Sequence, residues 1–354
     1  MNFLSKYTIQ TGKFFVLWLC LLTFLAMTCD SSLANQTENP ALLMPRAAKS
    51  LILDLTNTGQ RLVATGWRGH ILISDDDAQS WQQVKSPTRN MLTSVYFSDQ
   101  QRGWTVGHGA VILGSEDGGQ NWKLLSAAPE EERPLFDIIV TDNYGFAIGA
   151  YAKFMTTTDG GQNWTSEEFV IEKGANNPGW DDEESLPFDF HLNGIARSTA
   201  GILYIAAEAG YLFRSDNNGE TWQELPSPYG GSFFGILPLE GETLLAYGLR
   251  GHIFRSTNGG HCWEPIETET TALLTDATQL PDGTIVVTGM AGVILSSSDS
   301  GVNFTLQQPD RTSLTSIATT KAGTLVVAGE RGFKILPKNL HKATYSSGAA
   351  GCKQ

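Results

Sequence analysis

The stretch SEDGGQNW at 115–122 recurs as TTDGGQNW at 157–164, SDNNGETW at 215–222, SDDDAQSW at 74–81, STNGGHCW at 256–263 and, worn, SSDSGVNF at 297–304. Read as columns, this is Ser/Thr, any residue, Asp/Asn, any, Gly, any, a small polar residue and an aromatic. Asp or Asn folds its side chain onto the turn's own N–H groups, Gly supplies a positive φ, and the aromatic opens the next strand with a large surface to bury. The box is therefore a structural element. Its anchors are Asp76 and Trp81, Asp117 and Trp122, Asp159 and Trp164, Asn217 and Trp222, Asn258 and Trp263, and Asp299 and Phe304.

Box starts at 74, 115, 157, 215, 256 and 297 are separated by 41, 42, 58, 41 and 41 residues. Eight residues upstream of each start stands Gly66, Gly107, Gly149, Ala207, Gly248 or Gly289, and Gly329 continues that series without a box. A period near 41 residues marks a solenoid or a propeller. Within the second unit, LTSVYF, GWTVG, AVILGS and NWKLL are four short β-branched and aromatic runs separated by Gly and Asp turns. Four strands per unit and seven units predict an all-β, seven-bladed β-propeller with Asp-box (BNR-like) repeats. The domain spans 35–340, and 341–354 forms a C-terminal tail. The seventh unit runs into Pro337 after three strands, so residues Ala41 to Met44 are expected to supply its outer strand, in preference to Ala343 to Ser346.

Residues 1–34 read as a cleaved signal peptide: Lys6 and Lys13 precede the apolar run from Phe14 to Met27, and Ser32-Leu33-Ala34 is a small-residue cleavage site. The protein is thus expected to be exported to a periplasm, with no transmembrane segment in the mature chain. Cys20 and Cys29 leave with the leader, and whether Cys262 and Cys352 pair is left open. The formal net charge is −13, and loss of Lys6, Lys13 and Asp30 makes it one unit more negative. Such a balance argues against nucleic acid and anionic membrane surfaces as partners, and a monomer is expected.

In a meandering blade the box, between third and fourth strands, lies on one face of the disc. The turn between second and third strands lies on the other. These latter turns read GWRGHI at 66–71, GLRGHI at 248–253 and GERGFK at 329–334, placing Arg68, Arg250 and Arg331 at equivalent positions. Guanidinium forks match carboxylates, so this face is the candidate partner site. The 58-residue spacing before the fourth box adds an acidic insertion at 165–190, built around Trp180, on the same face.

No HExxH, P-loop or GxSxG is present, the six His are scattered, and no metal or cofactor is predicted. The boxes resemble those of sialidases, where they are structural and the active site uses three arginines, a Tyr with a Glu, and an Asp. A carbohydrate-active hydrolase or glycan-binding propeller is therefore the alternative reading, although its Phe/Tyr-Arg-Ile-Pro signature is missing.

Box and upstream turn together, as in GWRGHILISDDDAQSW at 66–81 and GLRGHIFRSTNGGHCW at 248–263, resemble the photosystem II stability/assembly factor family. That resemblance covers nearly all of the mature chain. It implies a seven-bladed, non-enzymatic assembly factor that binds a membrane-protein subunit on its exported side, in the thylakoid lumen if the host is photosynthetic. The arginine-bearing surface of that family maps onto Arg68, Arg250 and Arg331.

Overall fold

A computed structural model describes residues 39–141, 143–172 and 190–337. Within them the chain forms seven sheets in sequence order, one per repeat, each built on an antiparallel meander, so the expected propeller is the observed fold. Blade one runs Ile52–Asn57, Leu62–Gly66, Ile71–Ser74 and Gln82–Val84, and the following blades repeat that meander. The first strands, including Leu92–Phe97, Leu135–Val140, Leu192–Arg197 and Leu274–Gln279, contact one another around the ring and line a central channel.

Seven hydrophobic clusters hold the blades together, each drawn from two adjacent blades. Trp222, fully buried, joins Phe146 and Phe154 of blade three to Phe213 of its own blade. Trp122 packs beside Val63 and Ile73 of blade one, Trp164 beside Trp104 of blade two, and Trp263 beside Tyr204 of blade four. Every box aromatic thus fills the seam with the preceding blade, which explains why the repeat requires a large side chain there.

The box turn is built as its columns predict. In the second copy Asp117 Oδ1 accepts from the amides of Gln120 (3.0 Å) and Asn121 (2.9 Å), while Asn121 Nδ2 donates to Oδ2 at 2.7 Å. Ser115 Oγ donates to Asp117 Oδ1 and accepts from Gly119 N, both at 3.0 Å. In the third copy the amide of Asn163, with its side chain, holds the Asp159 carboxyl well below the usual carboxylate range.

The upstream glycine series has a different cause. Gly66, Gly107 and Gly149 lie opposite the first strand where it bulges, in extended conformation. A Cβ on Gly107 would lie 2.0 Å from the carbonyl oxygen of Met91. Backbone approach, rather than φ, excludes a side chain.

Closure departs from expectation. Ala41 to Met44 does not extend blade seven as its outer strand. Instead Ala41 N donates to Ser86 O at 3.0 Å and Met44 N to Gln83 Oε1 at 2.7 Å, both beside the outer strand of blade one. Three strands of blade seven are described, ending with Gly332–Ile335. The ring closes through side chains: Ala318, Val326 and Ala328 pack with Ile52, Leu55 and Leu62, and Trp81 stacks on Phe333. Apolar burial between two sheets supplies what edge pairing was expected to supply. The alternative segment, Ala343 to Ser346, lies outside the described residues, as do residues 1–34, Cys352 and the tail. Cys262 is disulfide-bonded.

Candidate functional site: the turn face and the channel

The second-to-third turns of blades one to six rest on the first strand of the next blade, which places them together on the face opposite the boxes. They are tighter than plain hairpins. In blades one to six each forms a single 3-10 turn whose middle residue is left-handed: Arg68 (φ 58°), Gly109 (71°), Tyr151 (52°), Ala209 (55°), Arg250 (58°) and Ala291 (56°). Glycine is the natural occupant of that region, and blade two uses it.

Arg68 and Arg250 are both exposed, and the Arg68 guanidinium lies 4.4 Å from the Trp67 ring centroid, within cation–π reach. Arg331 differs from them. In blade seven Gly329 pairs directly with Gly332, so the turn is one residue shorter and Arg331 does not take the left-handed position. Its guanidinium lies 3.9 Å from Glu330 Oε1 and remains largely exposed. The three arginines therefore share a face, with two in equivalent geometry and the third displaced by a shorter loop.

Beside their charges these turns carry an apolar half that the sequence reading leaves out. Trp67 (47% exposed), Leu249 (36%) and Met290 (37%) occupy the turn position just before the left-handed residue, and Tyr151 (50%) occupies the left-handed position itself. They are visible in the sequence once the column before Arg68 is read around the repeat. Alternating cations and exposed apolar side chains suit a segment that carries both carboxylates and hydrophobic residues. His70 and His252 serve packing. His70 is buried, with Nδ1 3.1 Å from Ser50 Oγ, and burial, with the Arg68 charge, lowers its pKa. His252 lies against the Tyr229 ring at 4.4 Å.

The insertion at 165–190 is structural at its described ends. Thr165–Glu167 is the fourth strand of blade three, and Ile171–Glu172 adds a parallel fifth strand to blade four. Phe169 and Phe190 are buried in the seam between those blades. Trp180 lies outside the described residues.

The second polar assembly lies in the channel, where cavities of about 420 and 440 Å³ open. Each first strand bulges once, and the residue after the bulge is Asp54, Ser94, Asp137, Gly194, Gly235, Asp276 or Ser316. Asp54 Oδ2 accepts from Val95 N at 2.7 Å, Asp137 Oδ2 from Ile195 N at 2.8 Å and Asp276 Oδ2 from Ile317 N at 2.8 Å, each in the next blade. Burial in the channel raises Asp137 to about 6 and Asp276 to about 7, against the lowering effect of those amides. Both residues keep partial surface exposure, yet that surface faces a walled cavity rather than bulk water, so the desolvation stands. Among the described residues, no three His, Cys, Asp or Glu side chains are placed to hold a metal ion.

Fold and site together define a seven-bladed Asp-box propeller with a cationic and apolar turn face. The family model for photosynthesis system II assembly factor YCF48 matches residues 73–169 and 130–324, most of the chain, and the chain belongs to that family. A photosystem II assembly protein Ycf48 of Synechococcus sp. strain JA-3-3Ab is 44% identical over 55 residues, 14% of this chain and 16% of that one. The chloroplastic stability/assembly factor HCF136 of Cyanidioschyzon merolae is 30% identical over 96 residues, 27% and 21% of the two chains. The matches thus span about a fifth or less of these relatives' lengths. In structure the chain is similar to YCF48 bound to D1 peptide (TM-score 0.62, 18% identity, 82% and 94% of the two chains covered). It is as similar to a streptogramin B lyase (TM-score 0.65, 15% identity, 84% and 96% covered), so these likenesses show the propeller alone. No helix among the described residues is long and apolar enough to cross a membrane.

Proposed function

We propose that this protein is a non-enzymatic, exported assembly factor that holds a segment of a membrane-protein subunit against its turn face. Arg68, Arg250 and Arg331 receive carboxylates, and Trp67, Leu249 and Met290 receive apolar side chains. The carrying observation is the pair Arg68 and Arg250, exposed on equivalent left-handed turns, each preceded by an exposed apolar residue. Family membership supports the role, and the similar YCF48 structure bound to a D1 peptide supports a membrane subunit as the class of partner.

The hydrolase reading is weaker on this geometry. The arginines stand on three separate outward turns, and the carboxylates that share a cavity are already held by backbone amides and serines. Trp180, outside the described residues, is retained as a partner contact in this proposal. The test is capture of the subunit from detergent-solubilised membranes by the native chain and by Arg68→Glu/Arg250→Glu/Arg331→Glu. Loss of capture with an unchanged melting temperature supports the reading, and undiminished capture refutes it.

A further inference from the structure

The channel residues pose a proton-counting problem. Ser94 Oγ lies 2.8 Å from Asp137 Oδ1 and 3.2 Å from Asp54 Oδ2. Ser316 Oγ lies 2.9 Å from Asp54 Oδ1 and 2.8 Å from Asp276 Oδ2. Around the ring the order is Asp137, Ser94, Asp54, Ser316, Asp276, five groups joined by four oxygen–oxygen contacts. Each contact needs a proton between its oxygens, and a serine hydroxyl has one to give. Two contacts are covered by Ser94 and Ser316. The other two require carboxyl protons, because two anionic oxygens and a spent hydroxyl cannot otherwise attract one another.

A carboxyl carries one proton, so two different aspartates must be protonated. Asp54 is the one best kept as an anion. All three aspartates accept two backbone amides, Asp54 from Leu55 and Val95, Asp137 from Ile138 and Ile195, and Asp276 from Ala277 and Ile317. Asp54 alone also faces both serines, so as an anion it collects four donors where either neighbour would collect three. With both hydroxyls donating inward to Asp54, Asp137 donates to Ser94 and Asp276 donates to Ser316.

We propose that the channel is a two-proton switch: Asp137 and Asp276 each hold a proton in the tight form of the ring, and Asp54 stays ionised between them. The contacts span the seams between blades one and two, two and three, six and seven, and seven and one. Release of both protons to solvent puts three negative charges in the channel and unmakes two of the four links, so those seams loosen as pH rises. The raised pKa values of Asp137 and Asp276 agree with this assignment, which the distances make independently. The other titratable or charged groups lining the cavities are Tyr96, Arg197 and the Tyr247 hydroxyl. Tyr247 is raised well above its ordinary value, first by burial and then by Asp276, and so remains a neutral neighbour. Arg197 lowers the Tyr96 hydroxyl but does not reverse the effect of burial there.

The switch is independent of the partner reading and is tested without a partner. Carboxyl carbon chemical shifts of the intact chain, followed by NMR from about pH 4.5 to 8.5, report each aspartate's proton directly. Midpoints near 6 for Asp137 and 7 for Asp276 are expected. Ionisation of either flanking aspartate below pH 5, or a proton found on Asp54, overturns the proposal. As a second readout, the melting temperature should fall from about pH 5 to pH 8 in the native chain relative to Asp137→Asn/Asp276→Asn. Equal pH response in both chains also overturns it, and the native titration stands if the variant fails to fold.

Discussion

The rings of Trp81 and Phe333 stack at 3.6 Å with 5° between their planes, joining the first box to the last described strand of the chain. They are 252 residues apart in sequence, and with Ile52, Leu55 and Ala328 they close the propeller. Phe333→Ala should therefore destabilise the whole ring. Phe333 is half-buried, so the cost should fall near the lower end of the large-aromatic range, about 2–3 kcal/mol by urea denaturation. A change confined to local exchange near blade seven, with an unaltered midpoint, would contradict side-chain closure.

Trp222 is fully buried where Phe154, Phe169 and Phe213 converge, and its indole N–H has no hydrogen-bond partner among the described residues. Its contribution is thus apolar. Trp222→Ala should cost about 3–5 kcal/mol in unfolding free energy, and Trp222→Phe distinctly less. Partner capture by the folded fraction should be unchanged if the partner sits on the turn face as proposed. Loss of capture at constant stability would move the site to the boxes.

Arg68 and Arg250 occupy left-handed positions that blade two fills with Gly109. Arg68→Gly and Arg250→Gly should each raise stability by up to about 1 kcal/mol, through relief of a conformation costly for residues with a Cβ. The same variants should weaken partner capture. A double variant less stable than the native chain would show that the guanidinium groups are structural.

Burial raises Asp137 to about 6 and Asp276 to about 7 in the folded chain, whereas unfolded aspartate titrates near its ordinary value. The folded state then binds more protons between those limits, and stability falls with rising pH. Their contribution is complete below about pH 4 and is lost as pH passes through 6 and 7. His70 and His108, both lowered by burial, act in the opposite direction through the range below 6.5. Comparison of melting temperatures for the native chain and Asp137→Asn/Asp276→Asn isolates the carboxyl part. The native chain should lose stability between pH 5 and pH 8 relative to the variant, and parallel curves would count against the raised values.

The box columns made the fold legible, because a turn that needs Asp, Gly and Trp at fixed spacing leaves the same mark in each copy. The turn face was half legible. Arg68, Arg250 and Arg331 stood out as charges, while Trp67, Leu249 and Met290 looked like ordinary strand-end residues until the turn exposed them. The shorter loop at Gly329–Gly332 was hidden, because GERGFK carries the same Arg-Gly pair as its counterparts. The channel belt was missed altogether. Its column contains Asp, Ser and Gly, which look like turn residues, and only the bulge in each first strand turns that column inward. Closure was misread because strand pairing is easier to infer from sequence than a contact between distant rings.

The proposed function puts the partner on the face opposite the boxes. Amide hydrogen exchange of the native chain, alone and saturated with the captured subunit segment, tests it most directly. Protection is predicted at Trp67–Gly69 and Leu249–Gly251, with the box turns at 115–122 and 157–164 unchanged. Protection of those boxes, with the arginine turns exchanging as in the free chain, would contradict it.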